Sequence, residues 1–291
     1  MDLTLTYWVV AAVLLHNAIA WGVQALAVRQ SLAATLRQWM ARWPGVWPGL
    51  REIGRFLFYI GIPYLALVQG VVSARTMGLS GMPSSTTQTG PTTLVSSLLA
   101  LDWARSLGVG SLLTLGAFVV VALTWWRYQR LVGKLPTRSW HFQASEEQVS
   151  AAPARRWPLI TSVSALRQPW GWARLLLDAV YLEAHWAFYR AWTLELLHDN
   201  PVGMPMGTFL GLILVGLEWY GDVGLRERLR TQAGVEEWAF IASLAFVSTF
   251  LFLFIGNLWV LIAAHWLVAW GLLAFLDWLR RRDAIPTRVR V

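Results

Sequence analysis

Nine ionisable side chains stand inside or at the ends of otherwise apolar stretches: His16, Asp178, Glu183, His185, Arg190, Glu195, Glu218, Asp222 and His265. In hydrocarbon such groups are costly, so they mark either function or internal pairing. Histidine beside carboxylate can do general acid–base work or ligate zinc. Taken singly, the same histidines are ordinary interhelical hydrogen-bond partners. Helical spacing sorts the stretch that carries five of these groups. Glu183 and Arg190 are seven apart, within about 20° on the helical wheel, and are expected to neutralise each other or neighbours as a structural ion pair. Asp178 and His185 share a second face by the same arithmetic.

Depth sorts the others. At about 1.5 Å per residue from the outer span ends, His16, His185 and Glu218 all fall about 18 Å deep, and His265 about 10 Å deep, level with Arg190. The residues that could carry catalysis, on a peptidase reading, are therefore His185, Glu183, Glu218 and His265. No metal is expected, and the residues name no cofactor. His185-Trp186 and His265-Trp266 have the look of the membrane His-Trp pairs that ligate pigments, which keeps a pigment- or haem-binding subunit as a further reading.

The elements that must position these groups are membrane helices. The 291 residues are 56% hydrophobic and only 14% charged, against about 25% charged in soluble domains. The apolar residues come in long uncharged runs. Seven spans are expected, at about 5–28, 56–74, 108–126, 174–197, 206–224, 237–255 and 258–278. The fold class is thus an all-α polytopic membrane bundle. The first run has an Ala18-Ile19-Ala20 look of a signal cleavage site, but Met1-Asp2-Leu3 lacks the positive region of a signal peptide, so a retained span is expected.

The net charge of +8 does not point to nucleic acid, because no basic stretch belongs to a nucleic-acid module. All but one of the 24 basic residues are arginine, and 21 of them lie in alternate connections and the tail. The exceptions are Arg75, Arg105 and Arg190. By the positive-inside rule the N-terminus is outside and the C-terminus cytoplasmic, in an inner membrane. Many of the 20 tryptophans, among them Trp8, Trp125, Trp126, Trp238 and Trp278, sit at span ends as an aromatic belt. The chain has no cysteine, which excludes disulfides and thiol nucleophiles.

Between the spans, residues 31–43 and 92–106 read as amphipathic interfacial segments, 79–91 as an outer loop and 133–168 as the longest cytoplasmic loop. From Ala239 to Leu276 no charge occurs. One helix of that length would measure roughly 57 Å, nearly twice a hydrocarbon core of about 30 Å. A helical hairpin with a tight turn at Ile255-Gly256-Asn257 is expected.

Two segments resemble one family. Residues 256–268, GNLWVLIAAHWLV, are similar to the last-span motif of the CAAX-protease and bacteriocin-processing (CPBP) intramembrane proteases, with His265 on the family histidine. His185-Trp186-Ala187-Phe188-Tyr189-Arg190 lies where that family carries Glu-Glu-x-x-x-Arg, and Arg190 matches. The family's two water-activating glutamates fall on His185 and Trp186. The family Asn after the last-span histidine is Ala269, and the fifth span holds no histidine. Composition and charge are expected to give one membrane domain, with three spans over 1–130, a cytoplasmic loop over 131–171 and a basic tail over 280–291; the resemblance, over roughly 172–278, implies a CPBP-like four-span core over 172–279. It also implies a core without the paired glutamates, expected to serve as an accessory, assembly or scaffold subunit. Its partners would then be the bilayer and another membrane protein or complex. A divergent intramembrane endopeptidase is the alternative.

Overall fold

The computed structural model describes residues 3–28, 34–35, 38, 41–43, 46–79, 101–132, 170–197, 199–230 and 232–283. Residues 80–91 of the outer loop expected at 79–91, the long loop over 133–168 and the tail from 284 lie outside the described residues. Among those described, every regular element is helical. Four stretches are long and apolar enough to cross a membrane: Thr6–Leu26, Ser106–Leu131, Gly234–Ile255 and Leu258–Leu279.

The first of these belongs to α1 (Leu3–Val28). Helix α2 (Val46–Phe56) runs through a π-helical turn, Leu57–Gly61, into α3 (Ile62–Val68). Pro63 follows that turn and has no N–H to return to the preceding carbonyls, so the helix widens just before it. The widened turn aims Phe58 and Tyr59 into the protein, where both are buried. The helix stops at Val68 rather than continuing to the expected 74. Gly70 takes a left-handed φ of 70°, and the amides of Gln69, Gly70 and Val71 bond back to Leu65, Leu67 and Ala66, a glycine-terminated helix end.

Helix α4 (Leu101–Val132) is continuous, so residues 101–106, expected at the interface, belong to a spanning helix; 92–100 lie outside the described residues. Then come α5 (Gly171–Leu196), α6 (Gly203–Gly221), the short α7 (Val223–Arg228), α8 (Gln232–Ile255) and α9 (Leu258–Asp283).

The α8–α9 hairpin turns where its sequence allows. Gly256 supplies a φ of 56°, which a side chain would strain. The Asn257 side-chain oxygen accepts from the amides of Trp259 and Val260 at 3.0 and 3.3 Å, capping α9. The turns after α3 dock on this tip, with the Leu258 amide bonded to Gly78 oxygen at 2.9 Å.

Helix α5 is the centre. From Tyr181 to Ala191 every residue except Ala184 is buried, so its charges meet protein rather than lipid. Gly203, Gly207 and Gly211 let α6 approach it: a Cβ on Gly211 would lie 2.9 Å from Arg190 Cα. This small-residue stripe is what close helix packing in membranes requires. The Thr193 hydroxyl uses the gap to donate to Gly207 oxygen at 2.6 Å. Helix α4 closes the other side, with Gly110 against Val260 and Phe118 against Gly271. Outward faces of α1 and α4 carry exposed apolar residues such as Leu14, Leu112, Val120 and Leu123.

Candidate functional site

Glu183, His185, Arg190, Glu218, His16 and His265, all buried, assemble into two clusters on opposite faces of α5. Glu183 and His185 are two residues apart, which on a helix is a turn of roughly 200°. Each therefore looks into a different set of neighbours.

Glu183, with no exposed surface, faces α8 and α9. Its Oε1 accepts from His265 Nδ1 at 2.8 Å. Its Oε2 accepts from the Ser248 hydroxyl at 2.7 Å and from Arg190 Nη2 at 3.3 Å. Arg190 also donates to Ser248 Oγ at 3.1 Å, and its guanidinium lies 4.6 Å from the Phe252 ring centre. One carboxylate thus ties together three helices through a cation, an imidazole and a hydroxyl.

Glu218, 2% exposed, faces α1 and α5. Its Oε1 accepts from His16 Nδ1 and its Oε2 from His185 Nε2, both at 2.9 Å. An ionised carboxylate is acceptor-only, so both imidazoles present N–H to it. The far nitrogens, His16 Nε2 and His185 Nδ1, are buried without a hydrogen-bond partner among the described residues, as is the Tyr59 hydroxyl. Phe58 and Tyr59 from the π turn each lie 5.0 Å from the His185 ring. Asp222, which caps α7 by accepting from Leu225 N at 3.1 Å, comes within 4.0 Å of His16 Nε2. A cleft lined by His16, Tyr59, Trp219, Asp222 and Trp238 opens on this side.

Trp186 separates the clusters. It follows His185 in sequence but turns toward α9, where its indole stacks on the His265 ring at 5.4 Å with an 18° interplanar angle. His185 and His265 are therefore held by different carboxylates. Of the four residues a peptidase would use, the structure brings His185 to Glu218 and His265 to Glu183, with His16 joining the first pair. Arg190 stands beside Glu183 as an ion pair.

The remaining ionisable groups are spoken for elsewhere. Asp178 pairs with Arg55 of α2, and Arg55 also reaches Glu52 at 3.0 Å and lies over the Tyr181 ring. Glu195 accepts from Thr76 at 3.1 Å. Sequence reasoning missed Arg55, Ser248 and Tyr59 as participants. Arg55 reads as a loop charge until α2 is seen to begin at Val46. Ser248 is one of few hydroxyls in a charge-free span, and that was its only signal. Tyr59 is aimed by a π turn that apolar periodicity does not reveal.

Comparison with family models, with curated proteins and with solved structures finds no match to this chain.

Proposed function

We propose that this chain is a seven-span inner-membrane protein, N-terminus outside and C-terminus cytoplasmic, whose CPBP-like core serves as a non-catalytic accessory, assembly or scaffold subunit. The observation that carries the reading is the division of the two histidines between two carboxylates. Water activation by paired carboxylates needs both acids at one point, and here Glu183 and Glu218 face opposite sides of α5. At the position of the second family glutamate stands Trp186, which offers one N–H donor and no acceptor, and its ring covers His265. The Glu183 cluster accounts for Arg190 and His265, the two residues the CPBP resemblance matches, as members of a structural pin.

Seven segments support the span count: the four apolar stretches, the α2–α3 run, and α5 and α6. The last two owe their lower apolarity to groups that other helices cover. The orientation rests on the arginine distribution.

Two experiments test this reading. Single cysteines at Ser84 and Ser145 in the naturally cysteine-free chain are expected to label from outside and only after permeabilisation, respectively; the reverse pattern overturns the topology. The purified chain in liposomes is expected to leave transmembrane peptides intact. Cleavage that disappears on Glu218→Gln, with folding retained, would establish the peptidase alternative instead.

A further inference from the structure

The Glu218 cluster has a feature that a structural pin does not need: unpartnered ring nitrogens on both flanks, one of them at a cleft. Native proteins satisfy nearly all buried polar atoms. Here His16 Nε2, His185 Nδ1 and Tyr59 Oη lie close to one carboxylate without hydrogen-bond partners among the described residues. His16 and Tyr59 also line the open cleft. The cleft wall is chiefly apolar, and its polar members are His16, Tyr59, Asp222, Arg228 and Glu237; water is the small ligand that donors and acceptors so placed can hold.

Charge balance sets what such a site can bind. With two neutral imidazoles and an ionised Glu218 the unit carries one negative charge. A single added proton makes it neutral, the state a low-dielectric interior favours. The His16 Nδ1–H is committed to Glu218 and the His185 Nε2–H likewise, so a proton can enter at His16 Nε2 or His185 Nδ1, and among the described residues only the first has a second carboxylate near it. His16 Nε2 lies 4.0 Å from Asp222, whose charge supports the imidazolium. Glu218 thereby orients His16, as a carboxylate orients a working histidine in hydrolases and metal sites.

We propose that His16–Glu218–His185 is an intramembrane proton-binding site, hydrated through the cleft and taking one proton from water at His16 Nε2. The groups that face it come from every neighbouring element: His16 of α1, Tyr59 of the π turn, His185 and Tyr189 of α5 and Glu218 of α6. Asp222 closes the cleft side, and Arg228 of α7 and Glu237 of α8 stand on the cleft wall. The cleft opens at the arginine-bearing end, where α7 carries Arg226 and Arg228, so on the orientation proposed above the proton exchanges with the cytoplasm. The site itself does not depend on the scaffold reading.

The test uses the full chain in nanodiscs with isotope-labelled histidine, there being five in all. His16 ring signals, assigned by their loss in His16→Gln, are expected to shift reversibly between pH about 5 and 8 and to show magnetisation transfer from water. Asp222→Asn, which keeps the cap on α7, is expected to move the His16 midpoint to lower pH by about one unit. Constant His16 signals across this range overturn the proposal. So does a His16 without water transfer, or an Asp222→Asn titration identical to the native one.

Discussion

The two carboxylates at the heart of the bundle are chemically alike and equally buried, yet their surroundings differ. Glu183 is saturated: cation, imidazole and hydroxyl fill both oxygens, and Arg190 brings a full neutralising charge. Glu218 has two imidazoles and, among the described residues, no arginine or lysine at its oxygens, and the imidazoles keep their outer nitrogens without hydrogen-bond partners. The lesson is that burial of a charge does not by itself mark function in a membrane. A charge neutralised by a permanent cation is a pin, whereas one neutralised only by titratable groups is a variable.

That contrast can be broken at either end. The largest effect is expected at the pin. Arg190→Leu strands the Glu183 charge without its cation, and breaking a buried pair costs about 3–5 kcal/mol in soluble proteins. Unfolding in mixed micelles should show a loss of that order, with partial recovery when Glu183→Leu is added. Full additivity of the two losses would mean that the pair is not coupled.

A smaller effect is expected at the boundary between α1 and α6. A Cβ at Gly221 would overlap the Asn17 side-chain amide, so Gly221→Leu must displace that side chain and crowd the face of α1 that carries His16. Overpacking of this kind costs about 1–3 kcal/mol. It should disturb the His16 ring signals while leaving those of His265 in place. Equal disturbance of both histidines would argue that the clusters are one mechanical unit.

Asn257→Ala is expected to have the smallest effect. Removing the cap at the hairpin tip should cost about 1 kcal/mol, measurable in the same micelle titration, and should leave both clusters unchanged. A change in either histidine environment would tie the tip to the polar core.

How much of this was legible in the sequence depends on whether local or long-range physics decided it. The α8–α9 turn was legible, because a charge-free run too long for one crossing contains a single Gly-Asn. The level of His16, His185 and Glu218 was legible too, since rise per residue places all three near one depth, and the structure joins them. Glu183 and Arg190 stand beside each other, as the seven-residue spacing implies. The boundaries of the second span were not legible: Gly70 and the π turn before Pro63 reset the helix, and Arg55 is drawn inward by Asp178, 123 residues away. Nor could spacing within α5 say which carboxylate His265 would meet, because that depends on how α9 rotates against it. Trp186 settles that rotation by stacking on the imidazole.

The most direct test of the division into two clusters is the response of each histidine ring to neutralising each carboxylate in turn. In nitrogen-labelled chain, Glu183→Gln is expected to shift His265 alone, and Glu218→Gln to shift His16 and His185 together. A single substitution that moved His185 and His265 alike would place both histidines on one carboxylate and contradict the account.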